Sequence, residues 1–555
     1  MKTKKFRNIV VVSLITLSGL GLLSFKSSLT DRYFDIAKNL DIFASLFKEL
    51  NYYYVDEINP NKLIKTGIDE MLESLDPYTN YIPEDDIEDY RTQTTGQYGG
   101  IGAVIGKRKD YAMILMPYEG YPAHNAGLKI GDELYKIDDI DLKGKNTTEV
   151  SKLLKGQAGT KLKLKVKRNG NATLLDFEIT RQRIKIDNIP YYGMVTDEVG
   201  YLQLTDFTSN ASKEVKEAIN KLKEKGMKYL IFDLRDNPGG LLMEAINITN
   251  LFIPKDKEIV STKGKVQEWN KVYMSLNQPL DVEIPIAVLV SSKSASASEI
   301  VSGSIQDYDR GVLIGQKTFG KGLVQATRQL SHNSQLKVTT AKYYIPSGRC
   351  IQAIDYTNRN EDGSVGKIAD SLKKEFKTKN GRTVYDGGGV EPDIIVERSE
   401  TPAILTSILQ KNLIFDYATK FYYENPKIES ARAFKISDKE YSKFVEWLKD
   451  KDYDYITKVE KTLEDLSTIS KKEKYYDDIK VQLDNLKSKV SHNKENDLIK
   501  FKSEISESLR KEIVSRYYLQ KGSIEASFDS DAEVKEAVNL FKDMQKFNSL
   551  LAKKK

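Results

Sequence analysis

The spacing of hydrophobic positions changes three times along this chain, and each change predicts a different architecture. From 31 to 95 the spacing is helical. The segment DIAKNLDIFASLFKELNYYYV sets Leu40, Ile42, Phe43, Leu46, Phe47 and Leu50 at mixed three- and four-residue intervals, an apolar stripe along one helix. KLIKTGIDEMLESL predicts a second helix, ended by the turn LDPYTNYIP, where Pro77 and Asn80 break the pattern. From 96 to 183 the texture turns to short strands punctuated by glycine. PAHNAGLKIGDELYKIDD reads as a short helix, a glycine turn and a strand, and KLKLKVKR alternates basic and apolar positions as a half-buried strand does.

From 184 to 400 strands alternate with helices. VGYLQL, KYLIFDL, IPIAVLVSS and LKVTTAKYY are the strands; residues 212–225, LLMEAINITNLF and SASEIVSGSIQDY are helices. That alternation implies a sheet covered on at least one face. Residues 355–389 are polar and glycine-rich, the texture of a surface insertion. Beyond 401 the chain is charged and helical to 555, with Ile479, Leu483, Leu486 and Val490 spaced to line one helix face. This extension reads as a bundle with solvated outer faces or as an oligomerisation or partner-docking module. The fold class is therefore α/β and multidomain: a mixed α/β core with an inserted β-rich domain, an N-terminal helical segment and a C-terminal helical extension.

Composition narrows the picture. At 555 residues, 40% hydrophobic and 30% charged, the chain is globular and exceeds one ordinary core. Its 86 basic and 80 acidic residues nearly cancel, so nothing argues for nucleic acid. MKTKKFRN is a basic start, and residues 9–25 follow without a charge. Residues 1–30 thus read as an export signal or an N-terminal membrane anchor. The single cysteine, Cys350, rules out an internal disulfide. No His/Cys cluster has metal-ligand spacing, so no metal or cofactor is expected.

Candidate chemistry centres on two segments. Ser296 sits where the strand IPIAVLV gives way to a helix, a junction that exposes a hydroxyl and gathers free backbone N–H groups. Serines at such junctions are more often N-caps. Ser294 and Ser298 share the context, and Ser298 is placed to cap. Lys321 follows twenty-five residues later in FGKGLVQ. A lysine serves as a base only if burial or a nearby cation lowers its pKa; Phe319, Leu323 and Val324 are placed to bury it. Gln325 is placed to hold its rotamer. GQKTFGK, from Gly315 to Lys321, also nearly matches a phosphate loop, but Gly322 stands where the magnesium-binding hydroxyl belongs. The three histidines, His124, His332 and His492, offer no recognisable triad. The turn DLRDNPGG offers Gly239 or Gly240 as backbone donors, or is simply a tight strand-to-helix turn.

Together, LDPYTNYIP, YGGIGAVI, PAHNAGLKIGDEL, VGYLQLTDF, DLRDNPGGLL, SASASEIVSGSIQDY, TFGKGLVQ and YYIPSGRCIQ resemble, in order, the carboxyl-terminal processing (tail-specific) proteases. The resemblance spans about 41–396. It implies Ser296 as nucleophile, Lys321 as base, Gln325 as its orienting partner, and Ala297 with a glycine of the DLRDNPGG turn as oxyanion hole. Glu299 matches an acidic position near the dyad in some relatives. It also implies that residues 96–183 are a PDZ domain whose Tyr98, Gly99, Gly100, Ile101 and Gly102 supply amides for a substrate carboxylate. Ala103, Val104 and Ile105 would then supply a pairing edge. The expected protein is an exported serine endopeptidase, periplasmic, soluble or anchored to the inner membrane. Its expected partners are protein or peptide substrates with unstructured, apolar C-termini, and the helical regions suit a homo-oligomer or adaptor contact. The other reading is a noncatalytic scaffold whose PDZ domain only binds tails.

Overall fold

The computed structural model describes residues 33–360, 364–398, 400–490 and 494–552. The segment expected as export signal or anchor lies outside the described residues. Among those residues no helix is long and apolar enough to cross a membrane. The chain divides into two compact units, one through Tyr81 and one from Ile82.

The first unit holds the two expected helices, 33–53 and Pro60–Glu73. Asn59 starts the second by accepting a hydrogen bond from the Lys62 N–H at 3.1 Å, and Pro60 occupies the first turn, where its missing N–H costs nothing. The apolar stripe of the first helix is present but largely exposed at Leu40, Phe43 and Leu46.

The second unit begins with a small β-rich domain. Strands Ala103–Arg108, Tyr111–Pro117, Glu133–Ile137, Lys161–Lys167 and Leu175–Thr180 form an antiparallel sheet in that order. Lys161–Lys167 buries Leu162, Leu164 and Val166 and exposes the lysines between them, as alternation predicts. Helix Thr147–Leu154 opens on an Asn146/Glu149 capping box. Because Ala103–Arg108 ends the sheet path, one of its edges has no strand partner among the described residues. A separate two-stranded ladder, Gln97–Gly100 with Gln182–Lys185, closes the base of the domain.

The α/β core is a six-stranded sheet in the order Tyr191–Met194, Val199–Gln203, Tyr229–Asp233, Ile286–Val290, Val312–Gly315 and Ile394–Ile395, parallel except for the first pair. Leu202, Phe232, Val288 and Val290 pack on one face against helices Ala211–Glu224, Leu242–Asn250 and Ala297–Asp307. A parallel sheet needs cover on both faces. Here Tyr201, Ile231, Leu289 and Ile314 bury their side against Phe528, Val534, Leu540, Phe541 and Phe547. Helices Ala532–Lys542 and Met544–Leu551 are therefore a layer of the core, although the sequence groups them with the helical extension.

The helices between 403 and 527 build their own core around Ile408, Tyr417, Phe444, Ile505 and Leu509. On helix Tyr476–Val490 only Leu483 of the expected face is fully buried, and Leu486 is exposed. Contacts from this helical region hold the β-rich domain: Arg108 pairs with Asp416, Lys129 Nζ donates to Tyr422 Oη at 3.2 Å, and Lys521 pairs with Glu119 at 2.8 Å. The expected insertion contains two small hairpins, Ile354–Arg359 with Val365–Lys367 and Glu375–Lys377 with Thr383–Tyr385.

Candidate active site

Strand Ile286–Val290 runs into the loop 291–296, and helix Ala297–Asp307 starts there, so Ser296 occupies the predicted junction. Its φ of 54° and ψ of −112° lie where non-glycine residues are rarely found, at a cost of about 1–3 kcal/mol. The three candidate serines are separated by their surroundings. The Ser294 hydroxyl is buried and donates to the Leu234 carbonyl at 2.7 Å; the Ser298 hydroxyl is buried and donates to the Asn237 carbonyl at 3.0 Å. Ser298 thus lies inside the helix and ties it to the neighbouring turn instead of capping it. Ser296 is half-buried at the helix N-cap.

The loop carrying Lys321 meets this junction through one carboxylate. Glu299 is fully buried, and its Oε2 accepts hydrogen bonds from the backbone N–H of Ser296 at 2.8 Å and of Lys321 at 2.9 Å. Its Oε1 accepts from the Thr318 hydroxyl at 2.6 Å and the Gly320 N–H at 2.7 Å. Burial pushes the Glu299 carboxyl up to about 7, and the hydrogen bonds pull against that rise. Tyr343 Oη lies 3.1 Å from the Ser296 carbonyl oxygen and 2.7 Å from that of Lys321.

Lys321 itself is half-buried. Leu323 is buried beside it, but Phe319, expected to help cover it, is 46% exposed. The segment after Lys321 is strand Leu323–Gln329, whereas a phosphate loop must open a helix; the phosphate-loop reading is set aside on that ground. Gln325 lies on this strand just past a register shift and donates from Nε2 to Thr339 Oγ1 at 3.2 Å. Cys350 is half-buried, and burial pushes its thiol up, away from the reactive thiolate.

The DLRDNPGG turn lies against Ser296. A Cβ on Gly239 would stand 2.7 Å from the Ala295 carbonyl oxygen and 2.9 Å from the Ala297 nitrogen, and the glycine's φ is +100°. Ala297 N–H has no hydrogen-bond partner among the described residues, as expected for the first position of a helix. Gly239 N–H donates to Asn237 Oδ1 at 2.8 Å, and Gly240 sits beside Phe207 in a parallel bridge. Asn237, fully buried, anchors the turn: its Nδ2 donates to the Leu204 carbonyl at 2.7 Å, and its carbonyl accepts from the Ala295 N–H at 3.0 Å. Behind it, Arg235 joins buried Asp233 to Asp531 at 2.8 Å and Glu533 at 3.2 Å.

The predicted tail-binding residues split into two groups. Tyr98, Gly99 and Gly100 pair with Ile184, Arg183 and Gln182, within the ladder at the domain base. Ile101 is buried in the domain core, and Gly102 turns the chain at φ +74°. Ala103, Val104 and Ile105 lie on the edge strand, and Val104 is exposed. The N–H groups of Ile101 and Gly102 have no partner among the described residues.

Sequence reading missed Asn237, Thr318 and Tyr343, and left Glu299 without a role. A local signal existed for Glu299 alone, since Ser296-x-x-Glu299 has the spacing of a capping box.

These features coincide with likeness to known proteins. Residues 198–359 match the model of peptidase family S41, 114–168 that of the PDZ domain, and 404–541 that described as "Probable PDZ-protease, C-terminal helical domain". A carboxy-terminal-processing protease of Bartonella bacilliformis is 38% identical over 324 residues, 58% of this chain and 74% of the relative. A "Probable CtpA-like serine protease" of Staphylococcus aureus is 36% identical over 319 residues, 56% of this chain and 62% of its own length. Among solved structures, a photosystem II D1 C-terminal processing protease is 25% identical, covers 64% of this chain and 92% of its own, and has a TM-score of 0.35. With the Bartonella protein matched across most of its length, and with the PDZ, core and helical models matched in order, the chain belongs to peptidase family S41, the carboxy-terminal-processing serine peptidases.

Proposed function

We propose that this peptidase is an exported endopeptidase in which Ser296 is the nucleophile, Lys321 the general base and Gln325 the residue that orients the lysine. Neutral Lys321 takes the Ser296 proton as Oγ bonds to the scissile carbonyl carbon. The resulting ammonium then protonates the leaving amine as the C–N bond breaks, and water hydrolyses the acyl-enzyme. Ala297 N–H is one oxyanion donor, worth about 3 kcal/mol of transition-state stabilisation. The second comes from Gly239 or Gly240; Gly239 lies against Ser296 but holds its N–H on Asn237. What carries this reading is that Glu299 Oε2 takes the backbone N–H of both Ser296 and Lys321, residues far apart in sequence.

Substrate capture falls to the PDZ domain. An unstructured, apolar C-terminus would add as a strand to Ala103–Ile105 and place its carboxylate on the Ile101 and Gly102 N–H groups. The domain limits proposed are 1–30 leader or anchor, 31–95 helical segment, 96–183 PDZ domain, 184–400 core with 355–389 inserted, and 401–555 helical extension. An exported site, periplasmic and either soluble or anchored to the inner membrane, rests on the basic start and the uncharged run of residues 9–25. Homo-oligomer or adaptor contacts belong to the helical regions.

The test is cleavage of an unfolded protein bearing an apolar C-terminus by wild type, Ser296→Ala and Lys321→Ala. Turnover by wild type alone is expected. Equal turnover by all three would remove the dyad, and tight tail binding without cleavage by wild type would favour the scaffold.

A further inference from the structure

Two buried side chains each meet the backbone of both Ser296 and Lys321. Glu299 takes both N–H groups on one oxygen, and Tyr343 Oη lies within hydrogen-bond distance of both carbonyl oxygens. Glu299 is 0% and Tyr343 1% exposed. An ordinary capping box requires only the Ser296 N–H. Here the other three donors to the Glu299 carboxylate, Thr318 Oγ, Gly320 N–H and Lys321 N–H, all come from the loop that carries Lys321. Burying an ionised carboxylate is expensive unless its oxygens are fully satisfied. Three of the four hydrogen bonds that the buried carboxyl group accepts thus come from the loop and tie it to the helix N-terminus. Thr318 is itself oriented, because its hydroxyl oxygen accepts the Val390 N–H at 2.7 Å and so turns its proton toward Glu299.

We propose that Glu299 and Tyr343 are positioning residues that set the approach of Ser296 to Lys321, Glu299 through the two N–H groups and Tyr343 through its single O–H, donated to the Lys321 carbonyl and lying 3.1 Å from that of Ser296. The proposal rests on the reading of Ser296 as nucleophile and Lys321 as base. Neither residue takes part in bond making. Their contribution is geometric, and a displacement of about 1 Å at a reacting pair lowers rates on the order of 100-fold.

The predicted effects differ in kind from those of a stability residue. Tyr343→Phe keeps the ring and its packing but lacks the hydroxyl; kcat should fall about 10- to 100-fold with KM and tail-peptide affinity unchanged. Glu299→Gln turns an NH2 toward N–H donors and should lower kcat further. Thr318→Val should also lose rate, whereas Thr318→Ser, which keeps the hydroxyl, should retain it. The assay is steady-state cleavage of the tail-bearing substrate by the full chain, with labelling of Ser296 by a fluorophosphonate probe as a direct measure of nucleophile reactivity. Wild-type kcat and labelling rates in Tyr343→Phe and Thr318→Val would overturn the proposal. So would a proportional rise in KM with kcat unchanged. If Glu299→Gln does not fold, the Tyr343 and Thr318 variants decide. Ser296→Ala and Lys321→Ala in the same assay separate the two levels: if both are inactive while Tyr343→Phe is fully active, only the positioning fails; if Ser296→Ala still cleaves, the dyad fails with it.

Discussion

Gly239 lies so close to Ser296 that a Cβ on the glycine would stand 2.9 Å from the Cβ of the serine. The turn after strand Tyr229–Asp233 and the loop after strand Ile286–Val290 thus meet with no room for a side chain. Gly239→Ala must either push back the Ala295 carbonyl or move the turn, and it also carries the strain of a φ of +100°. We expect proteolysis to drop at least about 100-fold, the scale of losing an oxyanion donor, while tail-peptide binding persists. Steady-state cleavage alongside peptide-binding titration checks this; cleavage near the wild-type rate would show that the close approach is dispensable.

Lys321→Arg should be inactive. Guanidinium keeps its proton at any working pH, so an arginine holds the charge of a lysine but cannot accept the Ser296 proton. Turnover by this variant would assign the base to another group.

Glu299 gives a pH dependence whose sign is fixed. Its carboxyl is raised from an ordinary 4.5 to about 7, so the folded state binds more protons than the unfolded state between those values. Its contribution to stability is complete below 4.5 and is lost as pH rises through about 7, a change on the order of 3 kcal/mol. Glu299→Gln lacks the titration. The wild-type minus variant difference in unfolding free energy, measured by denaturant titration, should therefore decline from pH 4.5 to 7 and level off above. A difference that rises over this interval would contradict the assignment.

Arg235 should act on stability. Its side chain is 12% exposed and joins Asp233, Asp531 and Glu533. Arg235→Met leaves these carboxylates facing one another, and breaking a buried pair in this way costs about 3–5 kcal/mol. Asp531 is held below the ordinary carboxylate range by Arg235, although its burial pushes the other way. Its share of stability is present above the ordinary value and is lost as pH falls through the depressed one. The wild type should therefore lose more stability than Arg235→Met on acidification below about pH 4. Parallel acid unfolding curves for the two proteins would count against the network.

The sequence made the strand-to-helix junction legible because IPIAVLV and SASEIVSGSIQDY differ in period, and the ordered motifs singled out Ser296 and Lys321. What it concealed were contacts made across long loops. Tyr343 sits in a strand rich in aromatic and β-branched residues and looks like any core aromatic; its hydroxyl acquires meaning only when residues 296 and 321 arrive beside it. Asn237 reads as a turn residue, and nothing local reveals that it also bonds to Leu204 and Ala295. The helices at 532–551 were legible as helices. Amphipathicity says that a face is buried, not against what, and their partner is a sheet that begins with residues 191–194.

That last partnership bears on how the molecule comes into being. A chain leaving the ribosome presents Ser296 and Lys321 well before Phe541 and Phe547, which cover Tyr201, Ile231 and Leu289. Until those late residues emerge, the sheet that carries the candidate nucleophile has one bare apolar side. The second face of that sheet is thus closed by residues translated long after the strands they cover.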